Sequence, residues 1–540
     1  MTIDVASFFT RWVSDSPLRH SAFRLFYMGA VGAALGYTMQ ATTAAWLMAT
    51  LTPSPLMVAS VQTASTVPSL LFGLVAGALA DIVDRRRVIL ATQFVLVAVT
   101  AALGTAALMG LVGPTGLLAC TFLIGAGFAF YLPAQQAAIN DLVARVELPR
   151  AVALGAVAFN VARAVGPALA GAIAAWLGTG SALLVAAAFF VVMIVAVSGQ
   201  RKVARAIRGV PETILSGVLA GLRYTRHSAP MRALITHNLC FSLCASALWA
   251  LLPLVARDQL GLGAGGYGTL VGCFGAGAVV GALSIPRQLR RMSLNAIVMS
   301  GVVLWSLAAS LIASTSVLAL AIVGACGAGA AWVTVLASLS AATQGAAPAW
   351  VRARAVATNL VTNQASLAIG SVIWGGVATY SGTRIALAAS AAVMIVLLAL
   401  NRRVKVSLAD EADVTPGAQL PDLAIALEPS PDDGPVLIQI DYRIEPANRD
   451  AFLKSIYSVE PIRRRNGAGS WRVFRDLEED GRFVERFIIA SWAEYIRLRT
   501  RMTMADRRLL DHVQQMQRSD EPLRVSRFLG INRDDLPPGS

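Results

Sequence analysis

Up to about Leu400 the chain repeats one unit, an apolar run followed by a short polar break. The runs are roughly twenty residues long, the length of helix that crosses the hydrocarbon core of a bilayer. Such runs are too long for ordinary buried helices and too many for one water-soluble core. Composition agrees, since 56% of the 540 residues are hydrophobic and 14% are charged, against roughly 25% charged in soluble domains. The region reads as an all-α polytopic membrane protein. No cleavable signal peptide is visible in the mixed, polar opening "MTIDVASFFTRWVSDSPLRHSAF". The five cysteines (Cys120, Cys240, Cys244, Cys273 and Cys326) lie inside apolar runs without metal-ligand or disulfide spacing, so they read as small packing residues.

The runs predict helices near 25–51, 55–80, 88–110, 115–138, 151–178 and 181–198, then 234–256, 267–286, 294–313, 316–339, 352–379 and 382–401. Charge placement orients them. Even-numbered connections hold Arg85, Arg86 and Arg87, then Arg145 and Arg150, Arg287, Arg290 and Arg291, and Arg352 and Arg354. The long middle connection adds Arg201, Lys202, Arg205, Arg208, Arg223, Arg226 and Arg232, whereas odd-numbered connections hold only Arg257 and Arg384. Basic loops stay cytoplasmic, so both termini are expected inside. The same placement removes nucleic acid as the partner implied by a net charge of +14, because the basic residues mark alternate loops and the C-terminal tail.

The chain also repeats itself at an offset of about two hundred residues, a plan shared by transporters built from two like-facing halves. "GLVAGALADIVDRRRVIL" from Gly73 parallels "GAVVGALSIPRQLRRMSL" from Gly277. "LIGAGF" from Leu123 parallels "IVGACG" from Ile322, and "AFNVARAVG" from Ala158 parallels "ATNLVTNQA" from Ala357. An even number of helices separates the copies, so two parallel six-helix bundles are expected, with the substrate between them near midplane.

"GALADIVDRRR", from Gly77 through Asp81 to Arg85, Arg86 and Arg87, resembles the signature Gly-x-Leu-Ala-Asp-Arg-x-Gly-Arg-Arg of the major facilitator superfamily. Ile82 replaces a basic residue and Asp84 replaces the second glycine. "GYTMQATTAAWL" from Gly36, "YLPAQQAAINDLV" from Tyr131 and "NVARAVGPALAG" from Asn160 resemble the branch containing siderophore exporters such as the enterobactin exporter, the transmembrane secretion effectors. The resemblance covers about residues 20–400. It implies that Asp81 meets the N-terminal end of the eleventh helix, near Ala349–Arg354, in the outward-facing state. A helix N-terminus carries partial positive charge and unpaired N–H donors, so Asp81 would latch the two halves on the cytoplasmic side. The bland reading of the three arginines is topology marking at the headgroup level.

At membrane depth the sharpest residue is Arg163, in the middle of the fifth helix, where a charge is costly. It is either a structural arginine bonded to carbonyls or another helix, or an anchor for an anionic or oxygen-rich cargo. Asn160 lies one turn earlier on the same face. Gly166-Pro167 follows, and proline kinks a helix; the resemblance links such a pair in antiporters to export without leak. Gln40, Gln62, Asn359, Asn363 and Gln364 are cavity-wall candidates or interhelical glue. Trp46 and Trp374 are cavity aromatics or lipid-interface residues. Gly32/Gly36 and Gly268/Gly272 read as close helix packing. No Asp or Glu falls in the centre of an expected helix, so proton coupling would have to use Asp81, Asp141 or a carboxylate on the cargo.

In "PETILSGVLAGLRYTRHSAPMRAL", Ile214, Val218, Leu219 and Leu222 have helical spacing, which fits an amphipathic helix at the inner membrane surface or a plain linker. After Arg403 the composition turns to Asp, Glu and Pro, a flexible linker. From Pro435 a water-soluble pattern begins. "VLIQIDYRI" is strand-like, Pro446 opens a helix with Phe452, Ile456 and Val459 on one face, and "SWRVFRD" and "RFVERFIIASW" flank a Glu-Glu-Asp-Gly turn. Helical segments near 493–518 and a strand at Leu523–Phe528 complete a βαββαβ order, expected to give a small α+β ferredoxin-like sandwich. "RFVERFIIASWAEYIRLRTRMT" resembles the dimeric α/β-barrel family of antibiotic-biosynthesis monooxygenases. Tyr495 and Arg499 stand where such sequences often show histidines, and His512 is the only histidine there. No haem or metal ligands stand out, so self-association or cytosolic regulation is favoured over catalysis.

The expected domains are a cytoplasmic segment 1–24, a six-helix bundle 25–198, a central loop 199–233, a second bundle 234–401, a linker 402–434 and a soluble domain 435–531. The reading is a multi-pass inner-membrane exporter of a small amphiphilic compound (a siderophore, an antibiotic or a related metabolite). It would work by alternating access, with a proton as the candidate coupling ion and with no cofactor and no metal. Its competitors are a nutrient importer on the same fold and a membrane-tethered oxygenase.

Overall fold

A computed structural model describes residues 16–144, 146–199, 214–401, 404, 406, 414–415, 417, 429–518 and 523–531. Arg145 and the basic run Arg201 to Arg208 lie outside them. The chain forms two compact units, one of 1–210, 237–338 and 361–405, the other of 211–236, 339–360 and 406–540.

Helices make up the first unit, and the stretches 211–236 and 339–360 of the same helical run belong to the second. α1 spans Ser21–Leu51, α2 Pro55–Ile82, α3 Arg85–Leu108, α4 Pro114–Leu142 and α5 Leu148–Ser198. After α6, Ile214–His227, come α7 Ala229–Leu254, which continues through a π-helical turn at Val255–Gln259, α8 Ala264–Leu289 and α9 Leu294–Ser314. α10 Leu318–Ala346, α11 Arg352–Ser381 and α12 Thr383–Leu400 complete the set. Among the described residues nine helices are long and apolar enough to cross a membrane. The long helices α1 and α11 fall below that mark; they carry Gln40, Asn359, Asn363 and Gln364.

Local chemistry sets the ends. Ser54 caps α2 by accepting from the Met57 amide at 3.4 Å, with Pro55 in the first turn, and Ser293 caps α9 through the Ala296 amide at 3.3 Å. α5 runs on for 51 residues, about 77 Å at ~1.5 Å per residue, over twice the bilayer core. It breaks at Gly178, whose φ of 84° is closed to most side chains. The two expected helices 151–178 and 181–198 are thus one element folded at a single residue. Gly382, at φ 86°, makes the matching break between α11 and α12.

α1 packs along α5, α2 against α4, α3 against α4 and α5, α9 against α12, and α5 against α8. In lipid the apolar effect gives little drive for association, so close backbone approach must supply it. A Cβ at Gly36 would lie 2.8 Å from the Ala186 carbonyl oxygen, and one at Gly32 3.0 Å from that of Phe189. Those glycines are where α1 nests against the second half of α5. Phe23, Phe26, Ile89, Tyr131, Phe190 and Met193 fill the core around them.

The second unit centres on a four-stranded antiparallel sheet in the order β2-β3-β1-β4. β1 is Val436–Arg443, β2 Gly469–Arg475, β3 Arg482–Ile489 and β4 Arg524–Leu529. α13, Arg449–Arg465, follows β1, while α14, Trp492–Arg501, and α15, Met504–Gln514, follow β3. Phe452, Ile456 and Val459 form the buried stripe of α13 and pack with Ile438, Tyr442 and Phe487 of the sheet. A reciprocal cap between Thr503 and Asp506 starts α15. Gly481, at φ 83°, turns the β2–β3 hairpin.

Within this core Glu485 is fully buried. It accepts from Arg463 Nε at 2.9 Å, Trp471 Nε1 at 2.8 Å and the Tyr442 hydroxyl at 3.0 Å. Desolvation works against the Arg463 charge, but Glu485 outweighs it and holds the guanidinium above its usual value. α6 packs on α13 rather than serving as a bare linker. Its Tyr224 is buried, meets the Trp350 ring edge-on at 5.8 Å, and directs its hydroxyl to the Ala346 carbonyl at 3.4 Å.

Candidate substrate pathway

The two halves of the helical bundle meet at one end. The Thr63 hydroxyl of α2 donates to the Ala368 carbonyl of α11 at 3.1 Å, and a Cβ on Gly375 would lie 3.2 Å from the Leu56 Cα. α5 meets α8 at Gly171, where a Cβ would come within 2.7 Å of the Gly268 Cα. Trp46 of α1 stacks on Tyr267 of α8 at 5.6 Å, and Arg257 donates to the Thr52 carbonyl at 3.4 Å. All these residues lie toward the connections following α1, α7 and α11 and toward the break at Gly178 within α5. Leu71, Val75, Val152 and Val157 are exposed, and a Cβ at Gly73, Gly77 or Gly155 would meet nothing within 4 Å. The contacts described across the seam gather at the end away from Arg85–Arg87.

Arg163 sits at the turn of α5 that touches Gly275 of α8. Its guanidinium lies over the indole of Trp249 on α7, 5.7 Å from the ring centre. Among the described residues no carboxylate lies within 4 Å of it, and Tyr37 is the one titratable neighbour that shares its field. Trp249 belongs to an aromatic cluster that no spacing in the chain announces. Trp249 meets Phe274 at 4.6 Å and Trp332 at 5.7 Å, and Trp332 meets Trp305 at 5.7 Å and Phe241 at 5.8 Å. The Trp249 Nε1 is buried with no hydrogen-bond partner. A cation over an indole face gains about 2 kcal/mol or more when desolvated. Together the arginine and the aromatic wall offer charge and π-surface to one ligand.

Gly166 and Pro167 explain how Arg163 is held there. The Thr38 hydroxyl of α1 fills the space a Cβ of Gly166 would need, and it donates to the Ala162 carbonyl at 3.0 Å. Pro167 has no N–H for the Arg163 carbonyl one turn earlier. That carbonyl faces Gly275 of α8, where a Cβ would sit 2.9 Å away. The glycine-proline pair therefore brings both neighbouring helices to the arginine turn.

The amide candidates do not form one group. Gln40 is buried and its Nε2 has no partner. Asn160 is exposed one turn before Arg163 and donates to the Ala156 carbonyl at 2.9 Å. Asn363 donates to the Ser242 hydroxyl at 2.7 Å, which in turn donates to Asn238 Oδ1 at 3.0 Å, a polar tie between α11 and α7. Asn359 is buried, and Gln364 and Gln62 are half-buried. Gln93 of α3 was not anticipated; it is fully buried with both side-chain polar atoms unpartnered. Trp46 and Trp374 are both buried, which removes the lipid-interface reading; Trp374 Nε1 donates to the Leu243 carbonyl at 2.9 Å.

The charged turn does more than mark a side. Asp84 caps α3 by accepting from the Arg86 amide at 3.0 Å. Three arginines in the first turn of α3 face the positive end of its dipole, and each finds an offsetting partner, Arg87 in Asp84 at 4.0 Å. Arg85 pairs with Asp141 of α4 at 2.5 Å and donates to the Ala137 carbonyl at 2.7 Å. Arg86 donates to the Ser198 carbonyl at the C-terminal end of α5, at 2.5 Å. Arg87 is largely exposed. The side chain of Asp81 lies outside the described residues. At the same end Glu147 accepts from His20 at 3.0 Å and from Arg19 at 2.6 Å, and the His20 bond heads the causes that lower its pKa.

The family described as transmembrane secretion effector matches residues 13–535. The chain belongs to that family. It is a major facilitator transporter, not an enzyme, and a multi-pass protein of the plasma membrane. The multidrug efflux pump Tap of Mycolicibacterium fortuitum is 28% identical over 306 residues, 54% of this chain and 72% of that protein. The inward-facing, unoccupied bacterial homologue of the human lysosomal transporter Spinster superposes with a TM-score of 0.58 at 15% identity, over 72% of this chain and 98% of that one. The nucleoside transporter NupG gives 0.59 at 15% identity, over 71% and 98%. These two likenesses speak for the fold alone.

Proposed function

We propose that this transporter exports a small amphiphilic compound, with Arg163 and Trp249 forming its recognition site in the cleft between the two halves. The observation that carries the reading is Arg163 itself. It is a cation in the middle of a membrane helix, set over an aromatic wall, with no carboxylate within ion-pair distance among the described residues. An intramembrane charge without a built-in counter-ion is a functional-site hypothesis by default. Efflux as the direction rests on the likeness to the pump Tap. A siderophore or a related aromatic, oxygen-rich metabolite suits both surfaces, and the motifs quoted above lean toward the siderophore-exporting branch.

With basic turns inside, both termini are cytoplasmic. Twelve crossings follow if α5 counts twice across Gly178 and α6 not at all. Asp81 as a latch to the start of α11, and a proton as coupling ion, stay part of the proposal. So do the domain bounds 25–198, 234–401, 402–434 and 435–531. The sheet order β2-β3-β1-β4 supports a ferredoxin-like, monooxygenase-related fold for the last of these. Self-association through it is supported by Leu437, Ile488 and Phe528, which pair across strands on its outer face.

Everted membrane vesicles presented from the medium with a panel of aromatic acids, catechols and neutral aromatics test the reading. Accumulation of an anionic aromatic should fall about tenfold or more in Arg163→Gln, the size of one lost charge-assisted contact, and Arg163→Lys should recover part of it. Equal uptake by wild type and Arg163→Gln for every anionic compound the wild type accumulates removes Arg163 from recognition.

A further inference from the structure

The second unit holds a cleft that the transport reading does not use. It lies between the sheet and the helices α14 and α15, with a volume of about 260 Å³. Phe487, Leu498, Met502 and Val525 line its apolar floor. Arg499, Arg507 and Arg527 line it as well, with one carboxylate, Asp511, which Arg507 meets at 4.0 Å. Arg527 is oriented by its Nε bond to the Tyr495 hydroxyl at 2.7 Å. Below them Arg463, already matched to Glu485, lies against the Phe487 ring at 4.9 Å.

A guanidinium is planar and forked, and it suits a carboxylate or sulfonate better than a spherical ion. The volume sits just under the roughly 300–1,000 Å³ of drug-sized sites, so the ligand is a compact one- or two-ring compound.

The opposite face of α14 leads elsewhere. Tyr495, Leu498 and Arg499 line the cleft, while Glu494, Arg497 and Arg501 recur at helical spacing on another face. Glu494 pairs with Arg501 at 2.8 Å, with Arg497 at 2.9 Å and with Arg223 of α6 at 3.4 Å. Arg501 lies over the indole of Trp350, 4.4 Å from its centre, two residues before α11 begins. One ten-residue helix therefore touches the cleft on one side, and on the other both α6 and the entry to α11.

We propose that this cleft binds a compact amphiphilic anion, an apolar ring system bearing one carboxylate or sulfonate, and that occupancy is relayed through α14 to Trp350. The protein would then carry a cytosolic sensor of acids akin to its cargo, wired to a membrane helix of the transporter. The binding step stands whichever direction the protein transports.

The test uses the full chain in nanodiscs, with empty nanodiscs subtracted. Calorimetric titration compares 1-naphthoate with uncharged 1-naphthamide and with inorganic phosphate. Naphthoate should bind saturably and about tenfold or more tighter than either. Arg499→Gln combined with Arg507→Gln should lose that margin, and Val525→Trp should block the site by filling its floor. Hydrogen exchange should slow on naphthoate addition at residues 221–227 and 346–356, and Arg501→Gln should abolish this slowing while leaving naphthoate affinity within about twofold. Equal binding of the amide, phosphate binding as tight as naphthoate, no saturable binding, or binding untouched by both cleft variants overturns the site. Normal binding with unchanged exchange near Trp350 overturns the relay.

Discussion

The helical unit and the sheet-bearing unit are held together by opposite means. In the first, glycines bring backbones together at Gly36 and Ala186 and at Gly171 and Gly268, and polar ties are sparse. In the second, aromatic side chains and ion pairs dominate, with Glu485, Glu494 and Asp506 each held by arginine. The solvent explains the contrast. Lipid tails are as apolar as leucine, so burying leucine against leucine gains little there, and small residues gain contact instead. Water rewards each apolar side chain buried and lets a small sheet afford a few buried charges only when each is paired.

The sharpest way to break this contrast is at its most polar buried point. Glu485→Ala leaves Arg463 buried without its counter-charge and should cost the second unit about 3–5 kcal/mol. Limited proteolysis of the full chain should then nick residues 436–529, while the helical unit persists. Survival of both units to equal protease would show that the Glu485 cluster contributes little.

The corresponding break in the first unit is steric. Gly171→Leu places a side chain where Gly268 lies and should cost about 1–3 kcal/mol by overpacking. Because the strain falls on the seam between α5 and α8, transport should drop while the second unit's melting is unchanged. A variant that transports at the wild-type rate would mean that the seam does not need backbone contact there.

A smaller effect sharpens the comparison through pH. Burial raises the Glu494 pKa, but Arg501 and Arg497 outweigh it and hold the group below its usual value. A carboxylate depressed in the folded state stabilises above its unfolded pKa, about 4.3, and that contribution is lost as pH falls through the folded value. The second unit should therefore melt a few degrees higher than Glu494→Gln at neutral pH, and the gap should close in acid below about pH 4. A gap independent of pH would mean that packing, not charge, makes the difference.

Much of the helical unit was legible because its signals are local. Apolar runs, Pro55 and Pro114 at helix starts, and the lone charge of Arg163 can all be read from neighbours in the chain. The doubled breaks at Gly178 and Gly382 echo the internal repeat. What escaped is assembled across the fold. Trp249, Phe274, Trp305 and Trp332 come from four helices, α7 to α10, and no periodicity within one helix marks them. Gln93 reads as an ordinary amide until its burial is seen. α6 looked like a linker because its partner, α13, lies more than two hundred residues further on. Asp84 looked like a departure from a motif, yet it is the cap that starts α3.

The fold at Gly178 has a mechanical consequence. With a single residue between the two arms of α5 there is no tether to take up slack, so any tilt of one must be delivered to the other. Gly382 gives the second half the same stiffness. Each half then pivots as one piece on that side, and distance labels placed on either arm of α5 should move in step through the transport cycle.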